Sequence, residues 1–175
     1  MEVFEAIAAR HSYRGAFLNT PVPKADLEKI VHAGIRAPSG HNAQTTSFAI
    51  VDDPQLIKAL GELVPKTSVK TAQAIIAVIS KRNTTYKGMS FDVQDYSAAV
   101  ENMLLAITAL GYATVWLDGV LHYNQIDEKI GELLHLPKGQ DMLVSVILPI
   151  GVPEESKSPT ERLPFEERAW YNLHP

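Results

Sequence analysis

Arg10, Ser12 and Arg14 alternate in the run Arg10-His11-Ser12-Tyr13-Arg14. Two guanidiniums four residues apart, with a hydroxyl between them, can donate forked, charge-assisted hydrogen bonds to phosphate oxygens. Further along, Ala37-Pro38-Ser39-Gly40-His41-Asn42-Ala43-Gln44 forms a Pro/Gly turn lined with small polar groups, able to bring backbone N–H groups close to a planar ring. Each segment alone also fits a plainer role, the arginines as surface ion-pair partners and the turn as an ordinary connection. Together they suit an anionic, planar ligand.

Other chemistries lack their residues. With no cysteine there is no thiol nucleophile, disulfide or thiolate-held metal, so redox chemistry needs a bound cofactor. The six histidines give no H-x-H or H-E-x-x-H spacing, and hence no metal motif. Neither G-x-G-x-x-G nor a P-loop is present, which leaves a phosphate site to depend on side chains. Ser12 and His11 are adjacent, so their side chains diverge, and no G-x-S-x-G elbow exists to support hydrolysis.

The elements that must position these groups follow from periodicity. Residues 2–9 read as a helix that ends where the arginine run begins. Leu27, Ile30, Val31, Gly34 and Ile35 mark one buried helix face, stopped before Pro38. Phe48 to Val51 reads as a strand, and Leu56, Ile57, Leu60, Leu63 and Val64 as an amphipathic helix. Ala74 to Ser80 is an apolar run of the kind covered on both faces of a sheet. A long helix is expected next, capped by Asp92 or Asp95 and stopped by Gly111, with Tyr96, Ala99, Val100, Met103, Leu104, Ile107 and Leu110 in its stripe. Ala113 to Leu117 reads as a strand, Asn124 as the cap of a helix through Leu134, and Met142 to Ile150 as the last strand. Pro149 points to an edge or irregularity there. From Gly151 the chain is rich in proline and charge around Phe165, Trp170 and Tyr171, an extended arm expected to pack its rings on its own domain or on a partner.

At 175 residues, 46% hydrophobic and 21% charged, the chain is expected to form a single globular domain. A formal net charge of -4 argues against a nucleic-acid surface. No signal-like N-terminus or run long enough to cross a bilayer is evident, so a cytoplasmic protein without membrane contact is expected.

Taken in order, R-x-S-x-R at Arg10, Ser12 and Arg14, Ala-Pro-Ser-Gly-x-Asn-x-Gln, the Asp95-to-Asn102 start of a long helix ending Leu110-Gly111, Trp116-x-Asp118-Gly119, Ile150-Gly151-x-Pro153 and Arg162-x-Pro164 resemble the FMN-dependent nitroreductase family, of which this would be a compact member. The resemblance implies an α+β fold, a mixed and mainly antiparallel sheet flanked by helices, over one domain spanning 1–175. Its C-terminal arm, 152–175, would be exchanged across a homodimer that carries FMN at the subunit interface.

For individual residues, the resemblance implies that Arg10, Ser12 and Arg162 hold the FMN phosphate and nearby ribityl oxygens, with His11 in the same cofactor-binding group. Arg14 would lie by the pyrimidine end, its charge stabilising the anion that develops there on reduction. Pro38, Ser39, Gly40 and Asn42 would pack on the ring from the other subunit, and backbone groups around Asp118 and Gly119 would approach N5 and O4. No side chain is assigned as catalytic. The chain departs from the family at two points: Pro65 and Ser68 stand where many relatives carry Asn and Lys, and Thr160 where a Lys often precedes the C-terminal Arg.

The activity implied is a two-step exchange in which NADH or NADPH reduces the flavin and a nitroaromatic, quinone or similar acceptor then takes the hydride from the same face. A flavin-binding or sensing module without turnover is the alternative.

Overall fold

The run from Ala74 to Ser80 leaves no polar face for water, and a strand of that kind must sit inside a sheet with helices on both sides. A computed structural model describes residues 1–137 and 140–174, apart from the side chains of 84–86. In it β1 (Thr46–Val51), β2 (Ala74–Lys81), β5 (Ala113–Thr114) and β6 (Met142–Gly151) form one sheet in the order β1-β2-β6-β5. Every pairing in it is antiparallel, so the sheet is more regular than the mixed one expected. A separate hairpin joins β3 (Thr84–Tyr86) to β4 (Met89–Ser90).

Seven α-helices are present among the described residues: α1 (Val3–Ala9), α2 (Lys24–Ile35), α3 (Pro54–Leu63), α4 (Thr67–Lys70), α5 (Asp92–Ala109), α6 (Ile126–Leu133) and α7 (Phe165–Arg168). Strand side chains alternate between faces, so β2 sends Ile76 and Val78 one way and Ile75, Ala77 and Ile79 the other. The first set packs with Leu27 and Ile30 of α2 and Val100, Met103 and Ile107 of α5. The second packs with Leu60 of α3, Val69 of α4 and Ile130 of α6. In β6 the register passes from Val78↔Val146 to Ile79↔Val144, leaving Ser145 as an extra residue. This bulge puts Val144 on the face of Ile147 rather than that of Val146, so both cores stay apolar. The Ser145 and Ser80 hydroxyls, both buried, satisfy each other at 2.7 Å.

Pro149 lies in a central strand, but at an irregular point. Ile147 exchanges both backbone hydrogen bonds with Leu117, and β5 pairs only with Ile150 and Gly151. The position two residues after Ile147 therefore turns its missing N–H toward this same side, where no ladder bond is drawn. For the same reason the strand expected over 113–117 shortens to Ala113–Thr114 plus a single bridge at Leu117.

Two expected caps are also corrected. The residue preceding α5 is Phe91, without a side-chain cap, and Asp95 turns sideways to other partners. Before α6 the chain takes left-handed conformations at Asn124 and Gln125, and Gln125 is the N-cap residue. By contrast α3 starts with Pro54 behind Asp53, whose carboxylate accepts from the backbone N–H groups of Gln55 and Leu56. Gly111, at φ +84°, ends α5 in the left-handed region that favours glycine. Among the described residues no helix is long and apolar enough to cross a membrane.

One polar cluster ties α2 to the turn after α5. The Tyr112 hydroxyl donates to Asp26 Oδ2 at 2.9 Å, and Lys29 Nζ to Asp26 Oδ1 at 2.9 Å. The Lys29 and Tyr112 hydrogen bonds hold the Asp26 carboxyl below its ordinary value, while burial and then Asp26 push the Tyr112 phenol above its own. Asp26 therefore stabilises the fold fully above its ordinary value of 3.8 and loses that effect as pH falls through the lower folded value. The Tyr112 contribution is full below its ordinary value of 10.0 and is lost as pH rises through the higher folded one. Tyr112→Phe should accordingly lower Tm by about 2 °C at neutral pH. Thermal melts across pH should show this difference shrinking in strong acid and strong base; a difference independent of pH would remove the cluster's role.

Candidate functional site

The arginine run is extended, and its alternation is enforced by one buried ring. Tyr13 is 1% exposed. Its backbone N–H donates to the Thr114 carbonyl at 2.8 Å, its hydroxyl donates to the Ala16 carbonyl at 2.6 Å, and its ring lies 5.3 Å from that of Phe17. Burying Tyr13 leaves Ser12 and Arg14 pointing outward beside it. Phe17 bridges to Pro153, and the Ala16 carbonyl accepts from Glu154 N, so the run is held between the ends of β5 and β6.

His11 Nδ1 donates to the Ala9 carbonyl at 3.0 Å, whereas Nε2 is buried with no partner. Arg10 is half-buried and directs Nε toward Glu101 Oε1 on α5, 3.8 Å away. That leaves its two terminal nitrogens for another anion.

Arg14 opens onto a cavity of about 480 Å³ lined also by Pro65, Lys66, Thr67, Ser68, Trp116, Leu117, Asp118, Gly119 and Val120. Its contents are two cations, two hydroxyls, an aromatic wall and one carboxylate. The segment from Pro65 to Ser68, which carries the departure from the family pattern, is thus brought beside Arg14 and Gly119. Asp118 closes a local turn, accepting from Leu121 N through its carbonyl at 2.8 Å and from Gly119 N through its side chain. Next to it, Tyr96 is pushed up, first by burial and then by the Asp118 and Asp92 carboxylates, so its phenol keeps its proton.

The turn from Pro38 to Gln44 is elsewhere. Gly40–Asn42 forms a 3-10 turn in which His41 and Asn42, followed by Gln44, have φ between 50° and 54°. Left-handed geometry costs a non-glycine residue about 1–2 kcal/mol, so the surroundings must hold this backbone. Gly40 is needed for contact: a Cβ there would fall 2.7 Å from the Phe91 side chain. The Ser39 hydroxyl accepts from Gln44 N at 3.1 Å. This turn leads into β1, whose Thr46 pairs with Ser80 near the end of β2. Arg14 lies instead toward the end where β2 begins, since Tyr13 bonds Thr114, which pairs with Ile150 opposite Ala74. With about 3.3 Å per residue along β2, the two halves stand roughly 20 Å apart in one chain.

Arg162 sits in the exposed tail, and among the described residues no hydrogen bond or ion pair joins it to Arg10, Ser12 or Arg14. Tyr13, Glu101 and the contacts of Asp95 are parts of the site that the motifs do not reveal. Tyr13 could have been found from the alternation of the run, since an aromatic flanked by outward polar residues belongs to the core.

The sequence model of the nitroreductase family matches residues 7–74 and 64–152. A protein of Archaeoglobus fulgidus, provisionally named an NADH dehydrogenase/NAD(P)H nitroreductase, is 32% identical over 89% of this chain and 88% of its own. A solved protein of Bacteroides thetaiotaomicron with a similar provisional name shares the fold, with a TM-score of 0.84 at 24% identity over 98% of each chain. A provisionally named nitroreductase of Desulfovibrio desulfuricans, solved in complex with FMN, is 29% identical with a TM-score of 0.82, over 100% of this chain and 99% of that one.

The Glu101–Arg10 pair yields a measurable consequence. Since a partly exposed pair is worth at most about 1 kcal/mol, Glu101→Gln should weaken the binding of inorganic phosphate only about two- to fivefold, read by titration calorimetry. An unchanged affinity would show that Glu101 does not orient Arg10.

Proposed function

Because the chain belongs to the nitroreductase family, we propose that it is an FMN-dependent oxidoreductase that takes electrons from NADH or NADPH and passes them, in ping-pong order, to a nitroaromatic, quinone or similar acceptor. One observation carries this reading. The cavity beside Arg14 offers cations, hydroxyls, Trp116 and a backbone turn at Asp118-Gly119. That donor set fits a phosphorylated, planar, hydroxyl-bearing cofactor.

FMN, when bound, supplies the electron relay between nicotinamide and acceptor. The chain's own residues bind, orient and polarise. Arg10 and Ser12, joined by Arg162, would hold the phosphate, with His11 in the same cofactor-binding group. Arg14 would place fixed positive charge by the pyrimidine edge, favouring the reduced ring electrostatically. Lys66 and Ser68 are added here as candidates for that edge, in the place of the absent Asn and Lys. The backbone around Asp118 and Gly119 would meet the ring's polar edge. With about 20 Å between the halves of the site, Pro38, Ser39, Gly40 and Asn42 cannot wall the same ring as Arg14 in a single chain. This supports a homodimer in which each turn serves the partner's cofactor.

The arm supports the same reading. Beyond Pro153 its large side chains stay outside the core, with Phe165 57% and Tyr171 83% exposed, and its rings meet one another at 6.1 Å. On α1, Val3, Phe4 and Ile7 are exposed too. Residues 1–175 would then act as one unit whose 152–175 arm lies on a second copy in the cytoplasm.

Protein purified gently should be yellow, and anaerobic NADH or NADPH should bleach its flavin band. Colourless protein that gains no flavin absorbance from added FMN would overturn the proposal, and yellow protein that no nicotinamide bleaches would leave only a binding module. Arg14→Ala should keep FMN yet lower the flavin midpoint potential in a spectroelectrochemical titration; an unshifted potential removes that role from Arg14.

A further inference from the structure

Asp95 is a buried carboxylate, 4% exposed, that none of the roles above uses. It stands one turn after Phe91 on α5, and residues four apart share a helix face. Its backbone N–H donates to the Phe91 carbonyl at 2.8 Å, so the helix is regular there and the side chain is not spent on capping it. Instead Oδ1 accepts from Gly40 N at 2.7 Å and Oδ2 from the Thr45 hydroxyl at 2.7 Å. Thr45 is fixed independently, because its carbonyl accepts from Lys81 N at the end of β2. The carboxylate therefore joins a helix, a turn and the sheet.

Phe91 presses on Gly40 from the same helix face, and its ring lies 6.1 Å from that of His41. Beneath the turn, Ser39, Gln44 and Asp95 share with Ile35, Phe48 and Ala99 the lining of a cavity of about 70 Å³, so packing under the turn is incomplete. A turn with left-handed His41, Asn42 and Gln44 needs a fixed anchor. A carboxylate near a helix N-terminus, accepting two short hydrogen bonds, is a strong one.

We propose that Asp95 is a positioning residue that latches the Pro38–Gln44 turn to α5 and so sets the wall this turn presents to the flavin. The second half of this statement rests on the function proposed above. The first half stands on the protein without any ligand.

Three variants separate the two halves. Asp95→Leu removes both acceptors, Thr45→Val removes one donor, and Asp95→Asn keeps both links, since its amide oxygen can accept from Gly40 N and its amide nitrogen can donate to the Thr45 hydroxyl. Hydrogen exchange on the FMN-free protein reads the Gly40 amide against the core amides of β2, which report global stability. Gly40 should exchange roughly tenfold faster in Asp95→Leu, relative to those core amides, with Thr45→Val intermediate and Asp95→Asn close to the parent. FMN affinity should follow the same order, and KM for the acceptor should rise more than kcat falls. Gly40 exchange that tracks the core amides in every variant would overturn the latch. Faster Gly40 exchange with unchanged FMN affinity would keep the latch and overturn its link to the cofactor. Should Asp95→Leu fail to fold, Thr45→Val and Asp95→Asn carry the same comparison. A parent protein that binds no FMN would sink the function reading while leaving the exchange test intact.

Discussion

The antiparallel pairing of β2 with β6 is the constraint from which the remaining structure follows. Both strands are buried on both faces over most of their length, so their backbone groups have no water to turn to and must find strand partners. β1 supplies the outer partner of β2, and β5 with Leu117 supplies that of β6. The helices are then divided between two apolar surfaces. The segments that carry polar chemistry lie at the ends of the sheet, because helices cover both faces of its two inner strands. The arginine run, the 65–68 segment and Asp118-Gly119 gather at one end, and the Pro38–Gln44 turn is left at the other.

Polar groups at the two ends are held by different physics. At the arginine end the anchors are a buried ring and backbone ladders, through Tyr13 and Phe17, and the charged groups stay outward for a ligand. At the turn the charge itself is the anchor, drawn inward and satisfied by Gly40 and Thr45. The first arrangement leaves Arg14 unencumbered, and the second keeps a strained backbone from relaxing into an ordinary loop.

The sequence made the scaffold legible where composition alone decides burial. Ala74 to Ser80 could be nothing but an inner strand, and the stripe from Ala99 to Ile107 marks the helix that covers it. The arginine run and the turn were recognisable as polar sites for the same reason, being out of keeping with their apolar flanks. Cap assignment was weaker, because an acidic residue near a helix start serves equally as a cap or as a tertiary acceptor. Asp95 took the second use, and only the distance from Gly40 to Thr45 in space decides between them. The shortened β5 was hidden because Pro149, which breaks its ladder, belongs to a strand more than thirty residues later. The closeness of Lys66 to Arg14 was equally out of reach, since it depends on how α4 enters β2.

Placing the two polar ends on one inner strand makes the length of β2 a gauge. Adding one residue would exchange its two apolar faces, so that Ile76 and Ile75 would trade cores. Adding two would preserve the faces but move the turn about 7 Å further from Arg14. Interior packing resists an odd change unless a bulge like that at Ser145 absorbs it, and the spacing between the two ends resists an even one. The strand can therefore vary in side-chain identity more freely than in residue number, and insertions that enlarge such a protein enter most easily at its loops, its hairpin or its tail.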